Sequence, residues 1–295
     1  MTGPIVSIII PAYNRASLIG ETLDSVQEQD FSSIELIVID DGSTDTTAGF
    51  VRNWIELHKS RFTGAYLRSF EKNMGKSEAV NAGFAMAQGD YVMVLDSDDV
   101  LLPKAISTEI QFFVDHPDVD ALFAGAFMMD DRTRTTKLVH TTQHSPSFID
   151  VRISYGDMLL NGNCIVASTV MMKRAVVKAV GGFRKELRYT HDLDYWVRIC
   201  KEHTFGYVDQ PVLYYRMNVG DGSSLQLRRT FSEILRLLDE RAGEYPFRSM
   251  VHAILFQTKF HIIGTLSRRS YVQTIMVALN GAVSIFKYLL FRRVH

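Results

Sequence analysis

The chain has 295 residues, 46% apolar and 22% charged, with 32 Lys and Arg against 33 Asp and Glu for a formal net charge of −1. This is an ordinary globular composition, long enough to bury a full core as one large or two small domains. The near-neutral balance excludes a general nucleic-acid binder, which would show a strong basic excess, so no nucleic-acid partner is expected.

The two cysteines, Cys164 and Cys200, lie far apart and share no paired spacing. That excludes a disulfide scaffold or a Cys-based zinc site and fits a reducing compartment. Met1-Thr2-Gly3-Pro4-Ile5 lacks a basic stretch followed by an apolar one, so the default location is cytoplasmic.

Val6-Ser7-Ile8-Ile9-Ile10 is a β-branched run ended by Pro11 and predicts a first buried strand, followed by a polar turn at Tyr13-Asn14-Arg15. Ser17 stands where it can cap a helix with Ile19, Leu23 and Val26 on one face. A second strand, Glu35-Leu36-Ile37-Val38-Ile39, runs into Asp40-Asp41-Gly42-Ser43. Ser43 or Asp45 can cap the next helix, in which Phe50, Val51, Trp54 and Ile55 repeat at helical spacing. Ala65-Tyr66-Leu67 gives a weaker third strand. Asn73-Met74-Gly75-Lys76 then leads into a helix with a narrow face of Ala79, Val80, Gly83, Phe84 and Ala87, ended by Gly89-Asp90. Tyr91-Val92-Met93-Val94-Leu95 reads as a buried strand, and it delivers the acidic stretch Asp96-Ser97-Asp98-Asp99.

The pattern changes after residue 100. Pro103 starts a helix with Ile106, Ile110, Phe113 and Val114, ended near His116-Pro117, and Ala121 to Met129 is an apolar strand. Asp130-Asp131-Arg132-Thr133 reads as a hairpin turn, residues 132–162 as weakly patterned chain with a long loop, and Cys164 to Met172 as another strand. Lys173 to Val180 is a short helix stopped by Gly181-Gly182. In the next helix Leu193, Trp196, Val197 and Cys200 form an apolar face, and Asp192 sits at its start, where the helix dipole favours an anion. On spacing alone Asp192 is an N-cap. Val212-Leu213-Tyr214-Tyr215-Arg216 is a strand, the loop 218–224 follows, and the chain is helical from about Gln226 onward.

Strand–helix alternation up to about residue 100 predicts a doubly wound, mostly parallel sheet flanked by helices. Ligands in such sheets bind beyond the carboxyl ends of the strands. Tyr13, Asp40, Asp41 and Asp96 to Asp99 are therefore expected to converge in space. Three carboxylates in four residues repel one another unless solvent or a hard cation neutralises them. The plainer alternative is a solvated loop that caps the following helix. Neither a G-x-G-x-x-G nor a G-x-x-x-x-G-K-[ST] stretch is present, so a backbone-amide phosphate cradle is not expected. Bound phosphates would then rely on a metal held by the acidic stretch.

Together, Ile8-Ile9-Ile10-Pro11-Ala12-Tyr13-Asn14, Ile39-Asp40-Asp41-Gly42-Ser43-Thr44-Asp45, Asn73-x-Gly75 with Asn81-Ala82-Gly83, and Gly89-Asp90-Tyr91 leading to Leu95-Asp96-Ser97-Asp98-Asp99 resemble the family-2 glycosyltransferases of GT-A fold. Gly181-Gly182-Phe183, His191-Asp192 and Pro211 to Arg216 match later blocks, so the resemblance covers roughly residues 5–220. It implies an inverting transferase using a nucleotide diphosphate sugar, with a lean towards uridine, and a glycan or lipid-linked acceptor. By it, Pro11, Tyr13 and Asp41 with Asp40 line the nucleobase pocket, and Asn14, Asn73 and Ser97 belong to the donor-binding blocks. Asp96 and Asp98 form the Asp-x-Asp pair for manganese or magnesium, with Asp98 favoured as the metal ligand. Asp192 takes the position of the general base, and His191 and Arg216 fall on the acceptor side. The sequence departs from the family pattern twice: His191 stands where Glu is frequent, and Val80 where Arg is frequent. Lys76 is a candidate phosphate contact or a solvated helix start, and His191 an acceptor contact or an ordinary surface residue.

The expected division is a catalytic domain at 1–225, with a nucleotide-binding half at 1–102 and an acceptor half at 103–225, and a helical C-terminal extension at 226–295. Ser270 to Phe286 is uncharged and mostly apolar, flanked by Arg268-Arg269, Lys287 and Arg292-Arg293, but short and interrupted by Gln273 and Asn280. It suits packing on the catalytic domain, a homodimer contact, or an interfacial helix at the inner face of the membrane. A sugar nucleotidyltransferase would need a Gly-rich basic loop after the first strand, which Pro11-Ala12-Tyr13-Asn14 is not. The non-enzymatic alternative is a sugar-nucleotide-binding or scaffold protein of the same fold.

Overall fold

The structure is a computed structural model describing residues 3–130, 136–139, 152–153, 163, 165–217, 227–241, 247–267 and 277–285. Its first half alternates strand and helix: β1 (Val6–Ala12), α1 (Ile19–Gln27), β2 (Ile34–Asp40), α2 (Thr47–His58), β3 (Gly64–Ser69), α3 (Lys76–Met86) and β4 (Tyr91–Val94). There follow β5 (Val100–Leu101), α4 (Ala105–Asp115), β6 (Ala121–Asp130), β7 (Thr136–Val139), β8 (Arg152–Ile153), β9 (Met171–Lys173), α5 (Arg174–Val180), α6 (His191–Glu202), β10 (Phe205–Met217), α7 (Leu227–Glu240) and α8 (Phe247–Ser267). The strands make one sheet in the order β3-β2-β1-β4-β9-β6-β10-β5, with β7 on β6 and β8 on β10.

Strands β3, β2, β1 and β4 are parallel, as the alternation predicts, and β6 pairs in parallel with β10 along most of its length. Strand β9 joins these two parallel sets by running antiparallel to both β4 and β6. All seven residues of β1 and of β2 are buried, because helices cover both sheet faces. Their side chains alternate between two cores. Ile9, Ile37 and Ile39 face Ala79 and Val80 of α3, whereas Ile8, Ile10, Leu36 and Val38 face Leu23 and Val26 of α1 and Trp54 of α2. The narrow face of α3 has a direct cause: a Cβ on Gly83 would stand 2.3 Å from Ile9 Cγ2.

Several local expectations are corrected. Pro11 does not end β1, which continues to Ala12. Ile9 C=O accepts from Leu95 and Ala12 C=O from Asp41, so Pro11 turns its missing N–H towards the β4 side, beyond the last β4 residue. Ser17 does not cap α1; the N–H groups of Leu18 and Ile19 instead donate to Arg15 C=O. Phe50 and Val114 are 40% and 66% exposed, because their neighbours Val51 and Phe113 already fill the inward stripe. Cys164 to Met172 is not one strand: Ala167–Thr169 forms a 3-10 turn and only Met171–Lys173 enters the sheet. Thr169 Oγ1 donates to Val166 C=O there, a local bond that competes with strand pairing. The hairpin expected after β6 is present as antiparallel β6–β7 pairing, while its turn and the loop 218–224 lie outside the described residues.

The C-terminal helices pack on the rest of the protein. Phe231, Leu237 and Leu238 of α7, Ala253 and Ile254 of α8 and Val277 share one core with Tyr195, Trp196 and Ile199 of α6. Among the described residues no helix is long and apolar enough to cross a membrane. Of the run Ser270 to Phe286, only 277–285 falls within them, and these residues are helical.

Two stability outcomes follow. Gly42 has φ +69°, and a Cβ there would stand 2.4 Å from the Lys72 carbonyl carbon. Gly42→Ala is expected to lose about 2 kcal/mol or more in urea unfolding, from left-handed strain plus overpacking; an unchanged midpoint would contradict this loop packing. Glu109 on α4 is fully buried, and neither of its carboxylate oxygens has a hydrogen-bond partner among the described residues. Burial pushes its carboxyl well above the ordinary value of 4.5. The folded state therefore binds this proton more tightly than the unfolded state, and stability falls as pH rises above that value. Relative to Glu109→Gln, the parent chain should lose up to about 1.4 kcal/mol per pH unit in that range; parallel stability curves would refute it.

Candidate active site

The acidic loop leaves the buried end of β4 and is held by hydrogen bonds from three distant segments. Asp96 N–H donates to Ser168 Oγ at 3.0 Å, and Ser168 Oγ–H donates to Asp99 Oδ2 at 2.6 Å. The other Asp99 oxygen accepts from Arg216 N–H at 3.0 Å. Asp99 is 1% exposed. Burial, then the Asp96 and Asp98 charges, push its carboxyl well above the ordinary range. It is an internal anchor joining β4, the 3-10 turn and β10. The Arg216 guanidinium is buried, donating to Asp98 C=O at 2.8 Å and to Glu21 Oε2 at 2.5 Å. Tyr215 beside it is pushed up to about 12 by burial, then by Asp99 and Asp96, so it stays protonated.

The predicted convergence of the strand-end loops is observed. Asn14, at φ +51°, accepts through Oδ1 from Thr44 N–H at 2.8 Å, and its own N–H donates to Ser43 Oγ at 2.9 Å. This ties the loop after β1 to the loop after β2 and leaves Tyr13 exposed beside Asn14. Asp41 accepts from Met74 N–H at 2.6 Å and Gly75 N–H at 2.9 Å, so it fixes the entry to α3. Burial raises the Asp41 pKa against the opposing pull of those two N–H groups, with the Asp40 charge adding to the rise. Asp40, also buried, accepts from Ser43 N–H at 3.2 Å. Pro11 and Ser97 are buried and Asn73 is exposed.

Lys76, the first residue of α3, then reaches the acidic loop. Its Nζ lies 2.5 Å from Asp96 Oδ1 and 2.8 Å from Oδ2, so the half-buried ammonium is held by the acidic loop. Burial disfavours its charge, but Asp96, followed by Asp192 and Asp98, outweighs that and holds the ammonium at about 12. Arg15 Nε approaches Asp98 Oδ2 at 3.5 Å. Burial, then the Asp96 charge, raise the Asp98 pKa, while Arg15 and Lys76 oppose the rise.

Asp192 approaches the same group of charges from α6. Its Oδ1 accepts from Leu193 N–H and its Oδ2 from Asn163 Nδ2, both at 2.8 Å, leaving a lone pair on each oxygen. It does not cap α6 in the usual way; the residue at the cap position is Thr190. His191 is buried, with its ring 5.4 Å from that of Phe183, and burial lowers its pKa although Asp192 opposes this. His191 is therefore neither an ordinary surface residue nor openly exposed. Asn81 on α3 braces the segment before α6, donating from Nδ2 to Phe183 C=O at 2.9 Å and accepting from Phe183 N–H at 2.7 Å.

The donor set suits a hard divalent cation. Asp96, Asp98 and Asp99 each offer a carboxylate oxygen within 4.8 Å of the others, and oxygen ligands are what magnesium and manganese take. Asp99 is occupied by Ser168 and Arg216, and Asp96 by Lys76, whereas Asp98 has the longer Arg15 pair.

Ser168, Asn163, Arg15 and Asn81 complete the site and were not assigned roles by sequence reasoning. Asn81 lies inside a motif block, and Arg15 lies in the polar turn directly after one. Ser168 lay inside a segment that reads as strand, and Asn163 carries no local signal.

These features agree with comparisons to known proteins. The sequence model of Glycosyl transferase family 2 matches residues 7–181. An uncharacterized glycosyltransferase of Rickettsia typhi is 30% identical over 213 residues, 71% of this chain and 63% of that protein. The chain thus spans less than two thirds of that relative's length. A putative teichuronic acid biosynthesis glycosyltransferase, TuaG of Bacillus subtilis, is 28% identical over 215 residues, 72% of this chain and 79% of that protein. The crystal structure of S. aureus TarS 1–349 in complex with UDP-GlcNAc superposes with a TM-score of 0.71 at 19% identity, covering 95% of this chain and 81% of that one. The mannosyltransferase PcManGT of Pyrobaculum calidifontis, in complex with GDP-Man and Mn2+, superposes with a TM-score of 0.65 at 19% identity, covering 99% and 84%. At that identity the two structures speak to the fold, which is GT-A. With more than half of its length matched by the family model, the chain belongs to glycosyl transferase family 2.

Proposed function

We propose that this protein is an inverting glycosyltransferase that moves a sugar from a nucleotide diphosphate donor, with uridine favoured, to a hydroxyl of a glycan or lipid-linked acceptor. One observation carries the reading: Lys76 stands against Asp96 and within the field of both Asp98 and Asp192. A donor-holding acidic loop and a candidate base thus face one small volume at the strand ends. The donors in the TarS and PcManGT complexes, and the teichuronic acid assignment of TuaG, support a nucleotide-sugar donor and a role in polysaccharide or glycoconjugate synthesis.

In this reading Tyr13 stacks on the base, while Asp40 and Asp41 shape its pocket and keep α3 in place. Asn14, Asn73 and Ser97 belong to the donor loops. Asp96 and Asp98 would hold manganese or magnesium, which when bound neutralises the diphosphate and the charge developing on the leaving oxygen. Lys76 adds a fixed positive charge at the same end of the donor. Asp192 takes the proton from the acceptor hydroxyl as that oxygen attacks the anomeric carbon, while the bond to the diphosphate oxygen breaks on the opposite face and its electron pair leaves with the nucleotide. The Leu193 N–H and Asn163 amide orient Asp192 for this step. His191, neighbouring the base and buried, shapes the acceptor side.

Residues 1–102 act as the nucleotide-binding half, 103–225 as the acceptor half and 226–295 as the helical extension. The setting is cytoplasmic, at the inner membrane face, with a homodimer as the competing arrangement.

The test is a steady-state transfer assay combined with donor-binding calorimetry. Asp192→Asn should cut turnover by about 10²- to 10⁴-fold and leave donor affinity unchanged. Asp98→Ala should abolish the strengthening of donor binding by manganese. Unchanged turnover in the first variant would remove Asp192 as base. Donor binding without turnover in the parent chain would favour the non-catalytic sugar-nucleotide-binding alternative.

A further inference from the structure

Helix α6 carries Asp192, whose Oδ1 meets the Leu193 N–H within the first turn. Thr190 occupies the cap position and makes no local side-chain cap bond. Its hydroxyl is directed elsewhere, donating to Glu233 Oε2 at 3.0 Å. The same Glu233 oxygen accepts from Tyr189 N–H at 2.8 Å and Thr190 N–H at 3.0 Å, and Oε1 accepts from Arg188 N–H at 3.0 Å. One carboxylate on α7, more than forty residues downstream, thus takes four donors from three consecutive residues immediately before His191-Asp192. Unsatisfied N–H groups at a helix start are ordinarily met by a nearby Ser, Thr, Asp or Asn. Here Glu233, from the C-terminal extension, meets the N–H of the cap residue Thr190 and of the two residues before it, and its negative charge sits at the favourable end of the helix dipole.

A second set of contacts makes the attachment stiff. Arg229 of α7 donates to Tyr189 Oη at 3.0 Å. Two residues beyond Asp192, the fully buried Asp194 takes Arg241 at 2.9 Å and Arg198 at 2.8 Å. Asp192 therefore lies between two points, 188–190 and 194, that α7 and the residue following it hold directly.

We propose that Glu233 is a positioning residue for the transfer reaction, setting the orientation of Asp192 by holding residues 188–190, the entry to α6, from the C-terminal extension. The inference rests on the reading of Asp192 as base. It gives residues 227–241 a part in catalysis without any contact to donor or acceptor.

The experiment is steady-state kinetics on the full chain for Glu233→Gln and Glu233→Ala, with Asp192→Asn and Glu240→Gln in parallel. Glutamine keeps one acceptor oxygen, so it should retain Tyr189 and Thr190 and lose Arg188; alanine loses all four donors. The expected result is a graded fall in kcat, small for glutamine and about 10- to 100-fold for alanine, with donor KM held within about twofold. Glu240 docks the same helix through Arg184 but makes no contact with 188–190 among those described, so Glu240→Gln should leave kcat near the parent value. Equal loss in Glu240→Gln would overturn the proposal in favour of general docking. Parent-like kcat in both Glu233 variants, with Asp192→Asn inactive, would overturn the positioning role alone. An active Asp192→Asn would instead overturn the base assignment on which it rests. Should Glu233→Ala fail to fold, a parent-like kcat in Glu233→Gln with Arg188 N–H visibly released in hydrogen exchange would still overturn it.

Discussion

Three carboxylates emerging from the end of a buried strand repel each other in a medium that screens poorly, and the architecture around the site answers that repulsion. Asp99 is withdrawn into the interior and held by Ser168 and the Arg216 backbone. Asp96 is matched by Lys76, and Asp98 faces Arg15. Each of these partners comes from a different element: the 3-10 turn before β9, the end of β10, the start of α3 and the loop after β1. The acidic loop therefore acts as a junction that fixes the relative position of both halves of the sheet. One carboxylate supplies structure, one is balanced by a lysine, and one faces an arginine.

The same arrangement explains why single residues serve more than one end. Asp41 was expected in a nucleobase pocket, and in the structure its two oxygens hold the entry to α3. That entry delivers Lys76 to Asp96. A chain of contacts thus runs from the loop after β2, through the first turn of α3, to the acidic loop. Gly42 is needed along it because the loops after β2 and β3 approach more closely than any side chain allows.

Much of this was legible in the sequence where physics is local or periodic. The β-branched runs gave β1, β2 and β4, and alternation with helices gave the parallel half and the edge on which polar loops meet. The second half was harder to read because its contacts are non-local. Residues 164–172 have strand-like composition, yet Ser168 and Thr169 turn their hydroxyls to backbone and carboxylate partners far away in sequence. Arg216 sits at the end of a readable strand, but its direction is set by Glu21 and the Asp98 carbonyl. Nothing local in the sequence marks Glu233; the packing of α7 beside α6 gives it four donors.

The central claim is that the acidic loop holds a nucleotide diphosphate sugar together with a divalent cation. The most direct measurement is the shift in melting temperature of the purified chain with UDP-, GDP- and dTDP-sugars, each with and without manganese, since a ligand that binds only the folded state raises that temperature by mass action. The account predicts a rise with one nucleotide class that grows when manganese is added. A rise of equal size with and without the metal, or none with any donor, would contradict it.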